Sequence, residues 1–227
     1  MNSAIIVAAG SGKRFGGKTP KQFLEILGKP LIIHTLQRFE ACAEIDEIIL
    51  VLPSSENAKF LQIAGKYNLK KLSKVVAGGG TRAESVWKGL SAIRAATAEI
   101  VAVHDGARPL VSIEEIAETV KKAQETGASC LVSTVTDTIK EIKDGKIART
   151  IERSTLRRAL TPQCFRYEIL KRAFENADLS EAVTDECFLV EKLNQKIAAV
   201  EGSARNIKIT HPEDLILAES LLKQTTI

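Results

Sequence analysis

The chain has 227 residues, 44% of them hydrophobic and 26% charged, with a formal net charge of +4. That length accommodates a substantial core, and that composition is ordinary for a water-soluble globular protein. The charge is too mild and too local for a nucleic-acid binder, and RNA-stacking aromatics are missing: the single tryptophan, Trp87, falls inside an expected helix. No apolar run reaches the length of a membrane span, and the N-terminus lacks the charged-then-apolar pattern of a signal peptide. The four cysteines, Cys42, Cys130, Cys164 and Cys187, form no metal-spaced pair. They are expected to be reduced, buried thiols, which suits the cytoplasm.

In chain order, Ala4–Ala8 reads as a buried strand and 30–42 as a helix opening at Pro30. A strand at 47–52, a helical stretch at 55–66 and a short strand at 74–77 follow. A helix over 82–95 carries Val86, Leu90 and Ile93 on one face. Residues 100–103 make a strand, 112–126 a helix and 129–135 another strand. This alternation predicts an α/β fold of Rossmann-like type: a mostly parallel twisted sheet with helices on both faces, in one unit spanning 1–227. Ligands of such sheets bind beyond the carboxyl ends of the strands.

The alternation breaks at 136–155. Asp144-Gly145 between two apolar-alternating runs is a strong hairpin signal. Ile139, Ile142, Ile147 and Ile151 are too few to stabilise a lone ribbon. The hairpin is therefore read as an arm that packs on a second subunit, with packing on its own domain as the alternative. Helices near 166–177 and 186–195, a strand near 197–200, Ile207–Ile209 and a last helix from Pro212 complete the chain. Leu160-Thr-Pro-Gln163 and Thr184-Asp-Glu186, taken alone, read as turns or caps.

The first strand runs into the most informative segment. Gly10, Gly12, Gly16 and Gly17 share a loop with Lys13, Arg14, Lys18 and Lys21, and the nine residues 13–21 hold four cations and no acid. Loop N–H groups with such cations make a receptor for several phosphates. A Walker A loop fails because Arg14 follows Lys13 where Ser or Thr is needed, and no glycine stands at position 7. A dinucleotide fingerprint fails at Phe15, and the second strand ends in Pro53-Ser-Ser55 without the ribose-binding acid. A triphosphate site of another design is expected.

Four further clusters should lie at strand ends, Leu160–Gln163 and Thr184–Glu186 being two of them. Gly78-Gly79-Gly80-Thr81-Arg82 leads a glycine loop into a helix N-terminus, where bare backbone admits a flat ring. His104-Asp105-Gly106-Ala107-Arg108 follows a strand. There Asp105 could take a ribose or substrate hydroxyl or Mg²⁺, or simply pair with Arg108, and His104 is more simply a packing residue.

Taken in order, Ala8-Ala-Gly-Ser-Gly-Lys-Arg-Phe15 with Pro20-Lys-Gln-Phe23, Gly79-Gly-Thr-Arg-Ala-Glu-Ser85, Val103-His-Asp-Gly-Ala-Arg-Pro109, Ala159-Leu-Thr-Pro-Gln163, Thr184-Asp-Glu186 and Asn206-Ile-Lys-Ile-Thr210 closely resemble the 2-C-methyl-D-erythritol 4-phosphate cytidylyltransferases of the non-mevalonate isoprenoid pathway. The resemblance runs nearly end to end. It implies a CTP-using, Mg²⁺-dependent enzyme that dimerises through a β-arm. It further implies Arg14, Lys21, Arg153 and Lys208 as catalytic residues. Ala8, Ala9, Gly10, Ser11, Gly12, Lys13, Gly79, Gly80, Arg82, Ser85 and Asp105 are implied nucleotide contacts, with Lys18 as supporting charge. Asp105, Gly106, Thr138, Arg153, Thr184 and Lys208 are implied acceptor contacts, Thr138 and Arg153 reaching from the neighbouring subunit. Any metal would be held by Asp105 or by the phosphates. Gly80 and Arg205 depart from the family, which often carries acids there. A ribitol-5-phosphate cytidylyltransferase, a non-catalytic nucleotide sensor and, more remotely, a nicotinamide oxidoreductase are the alternatives.

Overall fold

The computed structural model describes residues 1–10, 15, 20–179 and 183–224. Seven strands form the central sheet: β1 (Ser3–Val7), β4 (Glu47–Leu52), β5 (Leu72–Ala77), β6 (Ile100–Asp105), β7 (Ala128–Thr134), β10 (Arg157–Arg166) and β11 (Ala198–Glu201). Their spatial order is β11-β7-β10-β6-β1-β4-β5. Every neighbouring pair is parallel except those of β10, which runs antiparallel to both β6 and β7. Two small ribbons stand outside the sheet: β2 (Glu25–Ile26) with β3 (Lys29–Pro30), and β8 (Ile139–Lys143) with β9 (Lys146–Ile151).

Side chains alternate across the sheet with a period of two, and each face has its own helices. On one face Ala4, Ile6, Ile48, Leu50, Ile100 and Ala102 pack against α1 (Leu31–Ala41), α2 (Asn57–Ala64) and α4 (Ile113–Thr126). On the other, Ile5, Ile49, Val51, Val101 and Val103 meet α3 (Arg82–Ser91), α5 (Tyr167–Glu175) and α6 (Glu186–Glu191). Burial on both faces is why β4 is a continuous apolar run rather than an alternating one. A third cluster places α7 (Pro212–Gln224) on Ile26, Leu31 and Ile209 through Ala218 and Leu222. The four cysteines are buried and unpaired, as expected. Among the described residues, no helix is long and apolar enough to cross a membrane.

The helix ends follow local chemistry. α4 opens with a complete capping box, Ser112 with Glu115, and closes on Gly127 at φ 89°. α3 is capped by Thr81, whose hydroxyl accepts from the Glu84 N–H. α3 stops at Ser91 and α6 at Glu191, each about a turn short of the sequence expectation.

The turn reading of Leu160–Gln163 is overturned, because the whole of 157–166 is β10, inserted between β6 and β7. Pro162 argues against a central strand, since it offers no N–H to a ladder. The strand tolerates it because the register with β7 breaks between Ala159 and Gln163, and pairing with β6 begins only at Gln163.

The hairpin is as expected. Asp144 and Gly145 sit at φ 50° and 73°, the two left-handed positions of a tight type I′ turn. The ribbon does not lie on its own domain: residues 138–150 are all exposed, with Ile142 and Ile147 60% and 65% accessible.

Candidate active site

Strand order reverses about β1, with β4 on one side and β6 on the other. Such a switch point opens a crevice beyond the strand ends. Three backbone hydrogen bonds extend the sheet into it: Ala8 N–H to Val51 O, Gly106 N–H to Val7 O and Gly78 N–H to Leu52 O, each 2.8 Å. The loops that follow β1, β5 and β6 thus converge on one cavity of about 510 Å³.

One wall is small and neutral. Ala8, Ala9 and Gly10 face Gly79, Gly80 and Ser85 across it. The walls touch at Gly78, where a Cβ would stand 2.3 Å from the Ala9 Cβ and 2.9 Å from the Ser85 hydroxyl oxygen, so only glycine fits. Ser85 closes the glycine turn, accepting from the Gly79 N–H and donating to Thr81 O. The Gly80 N–H is spent on Glu84 Oε2 at 2.8 Å.

The rest of the lining is largely ionic. Asp105, at the end of β6, faces three cations: Lys208 Nζ at 2.8 Å, Arg82 Nε at 3.1 Å and Arg108 Nε at 3.5 Å. The last is ion-pair rather than hydrogen-bond spacing. Burial alone would raise the Asp105 carboxyl, but Arg82, then Lys208 and Arg108, outweigh it and hold it far below the usual carboxylate range. Arg108 also donates to Asn206 O at 2.7 Å, and Asn206 donates to Thr161 O at 2.9 Å. These bonds pin the strip 206–210 that carries Lys208. Lys21 reaches the same strip, donating to Ile209 O at 2.9 Å. It lines the cavity beside Lys208 and Thr210.

His104 is a packing residue, as expected. It is fully buried, tilted against Phe39 at 4.8 Å, and bonded to Thr161 Oγ1 and Arg108 O. Burial lowers its pKa to about 4, so it stays neutral and holds Thr161, whose hydroxyl in turn accepts from the Asp105 N–H.

Of the residues singled out in the sequence, the cavity gathers Ala8, Ala9, Gly10, Lys21, Gly79, Gly80, Arg82, Ser85, Asp105 and Lys208. Gly106 lies behind it, packed between Ile32 and Ala8. Ser11, Gly12, Lys13, Arg14 and Lys18 lie outside the described residues. Thr184 does not line this cavity; it borders a second recess of about 350 Å³ with Cys130 and Cys187. Nor do Thr138 and Arg153, which line a recess at the base of the arm, where Arg153 donates to Thr136 O.

Asp105 is a poor metal ligand as it stands, because both its oxygens already face cations. Among the described residues, no group of three or more His, Cys, Asp or Glu is placed to hold a metal ion. The described side chains therefore do not fit a protein-built Mg²⁺ cage.

Glu186 and Gln163 belong to the site, and residue-by-residue reading did not single them out. Glu186 is fully buried and takes Arg82 Nη1 at 2.6 Å. Gln163 Oε1 accepts from the Glu186 and Cys187 N–H groups, and its amide donates to Asp185, the cap of α6. Their only signal was their presence in two short motifs.

Comparison with known proteins agrees over nearly the whole length. A family model described as 2-C-methyl-D-erythritol 4-phosphate cytidylyltransferase matches residues 2–224. The protein of that name from Bacillus licheniformis is 43% identical over 225 residues, covering 98% of this chain and 96% of its own. That from Clostridium acetobutylicum is 41% identical over 230 residues, covering both chains fully. The crystal structure of 4-diphosphocytidyl-2C-methyl-D-erythritol synthase from Anaerococcus prevotii superposes with a TM-score of 0.85 at 32% identity, covering 98% of this chain and 96% of that one. The corresponding cytidylyltransferase structure from Thermus thermophilus gives 0.78 at 31% identity, covering 96% and 98%. With the loops after β1, β5 and β6 converging on one cavity at the sheet's switch point and the family model matching residues 2–224, this chain belongs to the 2-C-methyl-D-erythritol 4-phosphate cytidylyltransferase family.

Proposed function

We propose that this chain transfers CMP from CTP to the phosphate of 2-C-methyl-D-erythritol 4-phosphate, giving 4-diphosphocytidyl-2-C-methyl-D-erythritol and pyrophosphate. The observation that carries the reading is the mixed lining of one cavity: small neutral residues, Ala8, Ala9, Gly10, Gly79 and Gly80, together with Asp105, Lys208 and Lys21. The glycine-alanine wall suits a flat pyrimidine and leaves little depth for a purine. Asp105 accepts hydroxyls, and Lys208 beside it meets the acceptor phosphate.

The chemistry follows from charge. An acceptor phosphate oxygen attacks the α-phosphorus of CTP in line; the bond from that phosphorus to the bridging oxygen breaks, and pyrophosphate leaves with the electron pair. The attacking phosphate is already ionised, so no base is required. Catalysis is then positioning and cation placement. Lys21 neutralises the α- and β-phosphates as charge grows on the bridging oxygen, and Arg14 is assigned the same duty from the family pattern. Mg²⁺ would be held by the triphosphate oxygens rather than by the described side chains, and there it would offset phosphate charge.

The chain acts as one nucleotidyltransferase unit whose segment 136–155 docks on a second copy. Exposed Ile142 and Ile147 support that reading, since a two-stranded ribbon is marginal without a partner. In the dimer Thr138 and Arg153 reach the neighbour's acceptor site. The test is pyrophosphate release from CTP with Mg²⁺, methylerythritol phosphate and ribitol 5-phosphate being offered separately. Release with the first alone is expected. Release with ribitol 5-phosphate alone would overturn the acceptor assignment, and release with neither, from folded protein that binds CTP, would indicate a nucleotide sensor.

A further inference from the structure

We infer that Glu186 is a positioning residue that sets the acceptor half of the cavity by holding Arg82 onto Asp105. The inference rests on the reaction proposed above. Arg82 begins α3, directly after the glycine loop, and a guanidinium there would be expected to reach for the triphosphate. Instead two of its nitrogens are committed to carboxylates, Nε to Asp105 at 3.1 Å and Nη1 to Glu186 at 2.6 Å.

Glu186 does not belong to the cavity wall. It is fully buried behind Arg82, and its Oε2 has no hydrogen-bond partner among the described residues. Burying a carboxylate with one oxygen unsatisfied is costly. Nothing about packing alone asks for an acid there, because the adjoining Cys187, Leu189 and Val190 are apolar and buried. Burial pushes the Glu186 carboxyl upward and Arg82 opposes it. Its partner is fixed from the other side too. Gln163 on β10 holds the Glu186 and Cys187 N–H groups with one atom and Asp185 with another, so the start of α6 is bolted to the sheet.

The result is a continuous line, Gln163 to Glu186 to Arg82 to Asp105 to Lys208. Three cations surround Asp105, and two have outside anchors: Arg82 on Glu186, and Arg108 on Asn206 O. Among the described residues Lys208 has no such second anchor, and its side chain is 37% exposed at the cavity. Glu186 thus keeps Arg82 on the carboxylate and leaves Lys208 as the cation able to turn toward an incoming anion. The neutral wall of Ala8, Ala9 and Ser85 takes no part in this line.

The test is Glu186→Gln, which keeps the shape and removes the charge, with both Michaelis constants and kcat measured alongside Tm. The expected result is a KM for methylerythritol phosphate raised about tenfold, the scale of one charged hydrogen bond, while KM for CTP stays within about twofold. Equal rises in both KM values, or no change in either, would overturn the inference; a purely structural role would move them together. Should Glu186→Gln fail to fold, Arg82→Lys decides. One ammonium cannot span both carboxylates, so the same acceptor-selective rise is expected, and its absence refutes the role. Wild-type turnover is the control, and its absence would sink the reaction itself rather than the split alone.

Discussion

Replacing Asp105 by Asn tests the charge arrangement most directly. The change is isosteric and keeps one acceptor, but removes the carboxylate that Arg82, Lys208 and Arg108 share. Three cations facing two carboxylates would become three facing one. Stripping one partner from a buried ion pair costs about 3–5 kcal/mol. Asp105 and Arg108 have only 10% of their side chains exposed, whereas Lys208 at 37% can turn to water and recover part of that cost. A net loss of about 2–4 kcal/mol is expected, and a chain of this size loses roughly 2–4 °C per kcal/mol, giving a fall in Tm of about 5–15 °C. The pH dependence fixes the cause. A carboxyl held below its unfolded value stabilises the fold above the unfolded pKa, so the Tm gap between wild type and variant should be constant from about pH 8 to pH 5. Below about pH 4 the gap should shrink, because the unfolded wild type takes up the proton that the folded protein refuses. Thermal unfolding by circular dichroism across that range is the assay. A Tm within 1–2 °C of wild type at pH 7, or a gap that widens in acid, would refute Asp105 as the charge centre of the site.

Lys21→Ala should lower kcat by roughly 10²–10³ at saturating CTP, the scale for one preorganised charge-stabilising group; a loss under about fivefold would remove Lys21 from the catalytic set. Mixing Lys21→Ala with Arg153→Ala subunits should restore activity toward about a quarter of wild type, since half of randomly paired dimers would hold one intact composite site. No recovery between subunits shown to exchange would refute sharing through the arm. Gly89→Ala should destabilise despite the helix propensity of alanine, worth about 1 kcal/mol. Its Cβ would meet Ile5 Cγ2 at 2.6 Å and Val51 Cγ2 at 3.1 Å, where α3 lies on β1 and β4. Overpacking of about 1–3 kcal/mol should outweigh the gain, and an unchanged or higher Tm in thermal melts would contradict that contact.

What the sequence disclosed and what it hid divide along physical lines. Periodicity located β1, β4, β6 and β7 because a strand buried on both faces must be apolar throughout, and Asp144-Gly145 located the hairpin because few residues accept two left-handed positions. β10 stayed hidden because its signal is non-local. Pro162 is tolerable only where the ladder has already slipped, a fact carried by the partner strands β6 and β7 and not by residues 157–166. The same asymmetry governs the site. Glycines stand close together in the sequence, so Ala8, Ala9 and Gly10 after β1 and Gly79 and Gly80 after β5 stand out locally, and both groups line the cavity. Asp105 drew notice as an acid at a strand end and its pairing with Arg108, three residues on, was legible there, yet Arg82 and Lys208 come from distant positions and only the fold makes them neighbours. Glu186 carried least signal of all, because an acid after an Asp cap reads as ordinary first-turn helix chemistry. Its meaning lies in the 104 positions separating it from Arg82, a distance no local motif can encode. Motif order along the chain compensates for this. Segments that meet at one switch point must be matched together or not at all, so their joint presence specifies a cavity that none of them specifies alone.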